Sequence, residues 1–251
     1  MALTSGSLFS GIGGIDLGLE RAGMRVIWQV EINEWCRKVL AKHWPEVTRY
    51  GDIKAIDWGV IERPDVLVGG FPCQPVSVAG KRRGQKDERW LWPEFARAIR
   101  LLRPRYVLVE NVPGLLRLGF TDVQNDLARC GYDAEWTSLS AAAVGAPHIR
   151  ERIWLVAYPN ENRQTQNQVL SRKPHEMRGK SQTPWTVQDA RPVLGNSGRV
   201  FLVPNTGDGG MAHGVSGDMD RFGGLGNAVV PQVVEYIGGL IVQHSEGQHD
   251  G

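Results

Sequence analysis

A cysteine stands on a tight loop directly after a predicted buried strand. The apolar run Asp65–Val68 leads into residues 69–75, GGFPCQP, where glycine and proline favour a sharp turn. Open α/β folds bind ligands at the carboxyl ends of their strands, so this loop presents the thiol of Cys73 to such a site. Cys36 and Cys130 have no comparable setting and are typical of packing residues. We therefore predict that Cys73 is a nucleophile.

Two further groups of charged residues adjoin predicted strands. Glu110 follows the apolar run Tyr106–Val109, so its carboxyl is expected in the same crevice as Cys73. Arg150 and Arg152 precede another apolar run, and strand alternation places them on one face, where they could bind a phosphate or orient a base. The alternatives are an ordinary acid at a strand end and an exposed strand entry.

A glycine loop connects the first predicted strand to the first predicted helix. Gly11, Gly13 and Gly14 let a ligand approach the backbone, and the helix N-terminus favours a carboxylate or phosphate there. Glu31 ends the second predicted strand, where an acid can accept hydrogen bonds from ribose hydroxyls. The spacing is not GxGxxG, so an adenosine-containing ligand other than a dinucleotide is favoured. A tight turn beside a surface acid is the alternative.

Strand-like and helix-like runs alternate through residues 1–158. This alternation predicts an α/β fold with a doubly wound, mostly parallel sheet. Residues 159–218 are rich in Gly, Pro, Asn and Gln with weak periodicity, which predicts a small irregular region. Regular structure returns near Val229. We therefore assign residues 1–158 and 219–242 to one domain and residues 243–251 to a disordered tail.

Composition narrows the class of protein. The 251 residues are 41% hydrophobic and 22% charged, which is typical of a soluble globular chain. No apolar run is long enough to span a membrane, and the N-terminus lacks the features of a secretory signal. Three widely spaced cysteines fit a reducing cytoplasm and argue against a zinc site. We therefore predict a cytoplasmic protein with no membrane partner and no metal.

The net charge of +2 conceals two basic regions. Residues 81–105 contain nine Lys or Arg against three acids, and residues 160–200 contain seven against three. This distribution predicts a face that binds a polyanion. A solvated helix face is the alternative for residues 94–105.

Taken together, these residues resemble the DNA (cytosine-5) methyltransferase family. The resemblance covers residues 7–158 and about 219–240, and it is most specific in the Pro-Cys-Gln loop and the later Glu-Asn-Val sequence. The compact form is most similar to phage and prophage members, which implies the cytoplasm of a bacterial host. The motifs occur in the family's order: Phe9-Ser10-Gly11-Ile12-Gly13-Gly14, Glu31, Gly51-Asp52-Ile53, Phe71-Pro72-Cys73-Gln74, Glu110-Asn111-Val112, Arg150-x-Arg152 and Gly226-Asn227-Ala228-Val229.

The resemblance implies a Rossmann-like, S-adenosylmethionine-dependent methyltransferase that acts on a cytosine flipped out of double-stranded DNA. Cys73 would add to carbon 6 of the base, and Glu110 would bind its N3 and exocyclic amine. Arg152 would support the cytosine, and Arg150 the surroundings of the intermediate. Protection from restriction is the implied role, with a cognate restriction enzyme as a partner.

The same resemblance assigns the remaining site residues. Those implied to bind the cofactor are Phe9, Ser10, Gly11, Ile12, Gly13, Gly14, Glu31, Ile32, Asp52, Ile53, Pro72, Asn227 and Ala228. The basic segment Ser77–Trp90 is suited to a mobile loop that contacts phosphates. The residues implied to bind DNA are Gln74, Ser77, Lys81, Arg82, Arg83 and Arg89.

Two departures from the family's pattern leave alternatives open. His148 stands where the family commonly has Gln, and a polar donor is kept. Residues 159–218 occupy the place of the target-recognition region but are short and lack its arginine-rich motif. A DNA- and cofactor-binding homologue without turnover and an RNA (tRNA) cytosine-5 methyltransferase therefore remain alternatives. A Rossmann oxidoreductase is remote, because the glycine spacing is wrong for it.

Overall fold

Seven strands form the central sheet of the computed structural model. The structure describes residues 1–72, 90–146, 148–160, 169–170, 190–194, 200–204 and 228–247. The strands of the sheet are β1 (Thr4–Leu8), β2 (Arg25–Val30), β3 (Thr48–Tyr50), β4 (Val66–Gly69), β5 (Tyr106–Asn111), β6 (Tyr132–Ser140) and β7 (Glu151–Pro159). They lie side by side in the order β3-β2-β1-β4-β5-β7-β6.

The direction of the strands confirms the predicted fold class. Strands β1 to β5 are parallel, whereas β7 lies between β5 and β6 and is antiparallel to both. The chain proceeds outward from β1 through β2 to β3 and then resumes on the other side of β1 with β4. The carboxyl ends of β1 and β4 therefore mark a topological switch point, where doubly wound sheets bind their ligands.

Helices connect the strands of the sheet. They are α1 (Gly14–Arg21), α2 (Glu34–His43), α3 (Trp92–Leu102), α4 (Leu115–Leu118), α5 (Phe120–Arg129) and α6 (Pro231–Gly247). Two short 3-10 turns occupy Ile53–Ala55 and Ala141–Val144. The N-terminus of α2 is capped as the sequence favours, because the Asn33 side chain accepts from the Cys36 N–H.

Both faces of the sheet are covered, and strand alternation decides which face each side chain joins. Leu67 of β4 packs with Phe95 and Ile99 of α3. Its neighbours Val66 and Val68 belong to the other core, which includes residues of α1 and α6. All four residues of β4 and all six of β5 are buried. Burial along the whole length of a strand is typical of a sheet that is covered on both faces.

Helix α6 extends further than the sequence indicated. The prediction that a disordered tail begins at residue 243 is wrong for residues 243–247, which are helical. The polar last turn is held by the sheet, since His244 Nδ1 lies 2.8 Å from the Tyr106 hydroxyl. Arg105 also donates to the buried Ser245 hydroxyl at 3.1 Å. These contacts are tertiary, so the local sequence gave no sign of them.

The region predicted to be irregular contains some regular structure. Strands β8 (Ala190–Leu194) and β9 (Val200–Pro204) pair antiparallel within residues 159–218. Most of that region lies outside the described residues. Among the helices in the described ranges, none has the length and apolar character needed to cross a bilayer.

Candidate active site

A cavity of about 410 Å³ lies where β1, β2, β4 and β5 reach their carboxyl ends. The site residues predicted from the sequence that line it are Phe9, Ser10, Gly11, Ile12, Gly14, Glu31, Ile32, Asp52, Ile53, Pro72, Glu110, Arg150, Arg152 and Ala228. Other predicted site residues lie outside the described ranges: Cys73, Gln74, Ser77, Lys81, Arg82, Arg83, Arg89 and Asn227.

The glycine loop after β1 is tied to the end of β2. The Gly11 N–H donates to Glu31 Oε2 at 2.8 Å, and the Ser10 N–H donates to the Val30 carbonyl at 3.0 Å. Gly11 has a φ of +54°, in the left-handed region that favours glycine. A Cβ at Gly11 would meet no atom within 4 Å. The loop therefore leaves open space beside its backbone for a ligand.

The Glu31 carboxylate is fixed from two sides. Its Oε1 accepts from the Asn33 N–H at 2.7 Å, while Oε2 binds the glycine loop. Arg37 donates to the carbonyls of Glu31 and Ile32 at 2.8 and 2.7 Å, which holds the backbone of both residues. Each carboxylate oxygen retains a lone pair, so Glu31 can accept further hydrogen bonds from a ligand.

Apolar and acidic groups meet at the end of the cavity that contains Glu31. Ile32 is 71% exposed and Ile53 is buried, yet both line the cavity. Asp52 caps the 3-10 turn, accepting from the Lys54 N–H at 2.9 Å, and lies beside Ile53. Apolar side chains together with a few placed polar groups are typical of small-molecule sites. This combination fits an adenosine group, with Glu31 available to its ribose hydroxyls.

Two glycines of the loop are required for packing. Gly13 does not line the cavity; its φ is +88°, and a Cβ there would lie 2.3 Å from the Trp44 ring. A Cβ at Gly14 would lie 2.5 Å from the Val229 carbonyl. The segment that leads into α6, including Ala228, therefore lies directly against the glycine loop.

Phe9 connects the loop to α3. Its φ of +54° places a bulky residue in the left-handed region, at a cost of roughly 1–2 kcal/mol. The ring lies 6.4 Å from that of Phe95, and the side chain also lines the cavity. Strained backbone of this kind is concentrated at functional sites, where the surrounding structure maintains it.

A buried ion pair occupies the other end of the cavity. Arg152 Nε lies 2.9 Å from Glu110 Oε1, and Glu110 is only 9% exposed. Burial raises the pKa of Glu110, whereas Arg152 and then Arg150 lower it, and the net pKa stays above the usual range. A Cβ at Gly70 would lie 2.6 Å from Glu110 Oε2, so a glycine is needed there.

Arg150 also lines the cavity, and its charge acts on both Glu110 and His148. Burial lowers the pKa of His148, and the positive charge of Arg150 adds to the effect. The imidazole is therefore neutral at pH 7, with one donor and one acceptor nitrogen. A glutamine amide offers the same two functions, so the structure supplies a physical reason why histidine can stand at this position.

The strand end before Cys73 is anchored to β5. Asn111 Nδ2 donates to the Phe71 carbonyl at 3.2 Å, and Asn111 Oδ1 accepts from the Val112 N–H at 2.9 Å. Pro72, the last described residue before Cys73, lines the cavity together with Glu110. The predicted nucleophile therefore follows a residue at the wall of the cavity.

Several lining residues were not among the predicted site residues, including Cys36 and Leu91. Cys36 was interpreted as a packing residue, and it is buried, but it also lines the cavity. Its spacing of four from the buried Leu40 on α2 could have indicated an inward-facing position. Leu91 follows the basic segment, and no sequence signal indicated it. Within the described ranges, no group of three or more His, Cys, Asp or Glu is placed to hold a metal ion.

Comparisons with known proteins agree with this arrangement. The chain is 37% identical over 166 residues to the Type II methyltransferase M.NgoMIV of Neisseria gonorrhoeae, a match that covers 64% of this chain and 53% of that protein. It is 41% identical over 162 residues to the Type II methyltransferase M.Eco47II of Escherichia coli, covering 61% and 39% respectively. The chain therefore spans about half the length of these curated relatives, or less.

A solved structure and a family model extend the comparison. The fold matches a prophage-encoded protein of E. coli described as a DNA modification methyltransferase, with a TM-score of 0.54 and 28% identity. That match covers 63% of this chain and 47% of the other. The model of the C-5 cytosine-specific DNA methylase family matches residues 3–197. This match includes the whole sheet and most of the cavity, and the chain belongs to the C-5 cytosine-specific DNA methylase family.

Proposed function

We propose that this chain transfers a methyl group from S-adenosylmethionine to carbon 5 of a cytosine in double-stranded DNA. The observation that carries the proposal is the buried pair of Glu110 and Arg152, which shares one cavity with Glu31 and with Pro72. A cavity that combines an acid suited to ribose hydroxyls, a protonatable carboxyl and the residue directly before Cys73 supports chemistry on a pyrimidine ring.

The protein residues activate the base. Carbon 5 of cytosine is a weak nucleophile, so the Cys73 thiolate first adds to carbon 6 and removes the aromaticity of the ring. The raised pKa of Glu110 favours a protonated carboxyl, which can donate to N3 as electron density builds on the ring. Arg152 holds that carboxyl in place at 2.9 Å. Once carbon 5 has gained the methyl group, loss of its proton allows the thiolate to leave.

The residues at the other end of the cavity would hold the cofactor. Glu31 would accept the ribose hydroxyls, with Ile32 and Ile53 beside the adenine. Phe9 would present an aromatic face to the sulfonium, an arrangement that stabilises a cation. When bound, S-adenosylmethionine supplies an electrophilic methyl group to carbon 5 of the activated base.

The target base has to leave the duplex, because carbon 6 cannot be reached within a base stack. The basic segment 81–89 would contact phosphates, and residues 159–218 would carry any sequence preference. Two relatives are named Type II methyltransferases, which supports protection from restriction as the biological role.

Covalent trapping tests the reaction. DNA that contains 5-fluorocytosine should form a stable adduct with the protein when S-adenosylmethionine is present, since fluorine cannot leave as a proton does. Cys73→Ala should form no adduct and transfer no methyl group while it binds the cofactor normally, as measured by calorimetry. Absence of methyl transfer to any DNA would contradict the proposal. Methylation of tRNA in a parallel assay would assign the RNA substrate instead.

A further inference from the structure

An aromatic contact joins the two ends of the segment that contains Cys73. Phe71 lies two residues before Cys73, and Trp90 is the first described residue after that segment. Their rings meet edge to face, with centroids 5.2 Å apart and an interplanar angle of 86°. Both side chains are buried, Phe71 at 2% and Trp90 at 8% exposure. This geometry is among those that aromatic pairs prefer.

Trp90 also packs tightly against the backbone at Gly119, the residue between α4 and α5. A Cβ at Gly119 would lie 2.3 Å from Cη2, 3.0 Å from Cζ2 and 3.1 Å from Cζ3 of Trp90. These atoms form the outer edge of the indole ring. A side chain at position 119 would therefore displace Trp90, and the absence of a Cβ at Gly119 allows the ring to remain in contact with Phe71.

Phe71 is held by further contacts. The Trp92 ring lies 5.5 Å from the Phe71 ring, and Asn111 donates to the Phe71 carbonyl at 3.2 Å. Both the side chain and the backbone of Phe71 are thus fixed two residues before the thiol. Glu110 precedes Asn111 on β5, so the same strand that carries the acid also fixes the chain leading to the nucleophile.

We infer that Trp90 and Gly119 are positioning residues for Cys73, acting through the ring of Phe71. The inference rests on the proposed function, because it concerns the distance between the thiol and carbon 6 of the bound base. The contact between Phe71 and Trp90 holds together the described residues on either side of the segment that contains Cys73. Displacement of a reacting group by about 1 Å can reduce a rate by a factor of about 100.

Four variants test this role. Trp90→Ala removes the ring, and Gly119→Ala displaces it while leaving it present. Each should slow adduct formation with 5-fluorocytosine DNA and lower kcat by a factor of about 10 to 100. Trp90→Phe keeps an aromatic ring but lacks the outer edge of the indole. The single variant Trp90→Phe should therefore retain most activity. The double variant Trp90→Phe with Gly119→Ala should form the adduct faster than Gly119→Ala does.

Separate measurements distinguish positioning from general damage. The cofactor Kd of each variant should remain within a factor of about three of the wild-type value, since the Glu31 end of the cavity is unchanged. Trp58→Ala is the matched control, because Trp58 is similarly buried but stacks on Trp28 instead of Phe71. It should lower the unfolding temperature without slowing the adduct in the folded protein.

The outcomes separate this inference from the proposed function. A wild-type protein that forms no adduct would overturn both. If the wild-type protein forms the adduct and folded Gly119→Ala forms it equally fast, the positioning role alone is overturned. If Gly119→Ala does not fold, Trp90→Ala and Trp90→Phe decide in its place, and equal adduct rates in those two variants would also overturn it.

Discussion

Opposing electrostatic influences act on the Glu110 carboxyl. Burial on β5 raises its pKa, and the guanidinium groups of Arg152 and Arg150 lower it without cancelling the effect. A raised pKa favours the protonated carboxyl, and the contact of 2.9 Å with Arg152 Nε holds it in one orientation. General acids work best when their pKa lies near the working pH, and burial moves the pKa of Glu110 in that direction.

The Arg152→Met variant should shift the pH dependence of the reaction. In the proposed mechanism Glu110 acts while protonated, so activity is present below its pKa and is lost as pH rises through it. Removing Arg152 removes the larger of the two charges that lower this pKa. The descending limb of kcat/KM against pH should therefore move to higher pH. The experiment needs only the pH at which kcat/KM declines, so low residual activity of Arg152→Met is sufficient.

Arg129→Met is the control for the Glu110 experiment. Arg129 forms an exposed pair with Asp126 on α5, away from the cavity. Its removal should leave the limb where it is. A limb that stays in place or moves to lower pH in Arg152→Met would contradict the assignment of that limb to Glu110.

Apolar strands could be predicted from the sequence, whereas half-exposed strands could not. The runs that became β4 and β5 are continuous and buried, so their sequence alone indicated them. Strand β6 contains Asp133, Glu135 and the exposed Trp136, and its pairing with β7 supplies the order that its sequence does not show. The glycine loop and Glu31 were each predicted to follow a strand, and they meet because parallel strands end at one edge of the sheet.

Contacts that depend on distant residues could not be predicted from the sequence. Nothing near Tyr106 indicates that its hydroxyl would lie 2.8 Å from His244 Nδ1. Gly119 gives no sign that Trp90 would pack against it. Both contacts join segments whose relative placement is decided by tertiary packing.

A buried acid lies between α1 and the sheet. Asp16 in the first turn of α1 is fully buried, and its Oδ2 accepts from the Ser7 hydroxyl of β1 at 3.3 Å. Burial raises the pKa of Asp16, and the hydrogen bonds with Gln29 and Ser7 lower it by less. The net pKa is about 7. The folded protein therefore keeps this carboxyl protonated at pH values where the unfolded chain has lost the proton.

Stability should consequently fall as pH rises from about 4 to about 7, and Asp16→Asn should remove this fall. In that window the folded state binds more protons than the unfolded state, so the free energy of unfolding decreases by up to about 1.4 kcal/mol per pH unit. Urea denaturation of the wild type and the variant at pH 4, 5, 6, 7 and 8 measures the difference. Asp57→Asn, at an exposed turn, serves as the control. Equal slopes in all three proteins would show that Asp16 does not titrate in this range.

At the scale of the whole molecule, α6 completes the fold by packing on α1. The two helices approach closely because both contain glycine at the contact. A Cβ at Gly18 of α1 would lie 2.4 Å from Val234 Cβ, and one at Gly238 of α6 would lie 2.8 Å from Ala22 Cβ. The segment before α6 also touches the glycine loop at Gly14. The C-terminal helix and the segment before it therefore pack directly on α1 and on the glycine loop.

Gly18→Ala should destabilise the protein and weaken cofactor binding together. The added methyl group would meet the Pro231 carbonyl at 2.5 Å as well as Val234, and a backbone group cannot move aside without shifting the helix. Overpacking of this kind costs roughly 1–3 kcal/mol, and a shift of α1 displaces the loop that precedes it.

Gly239→Ala on α6 is the matched control, since a Cβ there meets nothing within 4 Å. It should stabilise the protein by roughly 0.5–1 kcal/mol, because alanine is the better helix former. Urea denaturation and calorimetry with S-adenosylmethionine measure both effects. Gly18→Ala with unchanged cofactor affinity despite lower stability would show that α6 supports the fold without reaching the cavity.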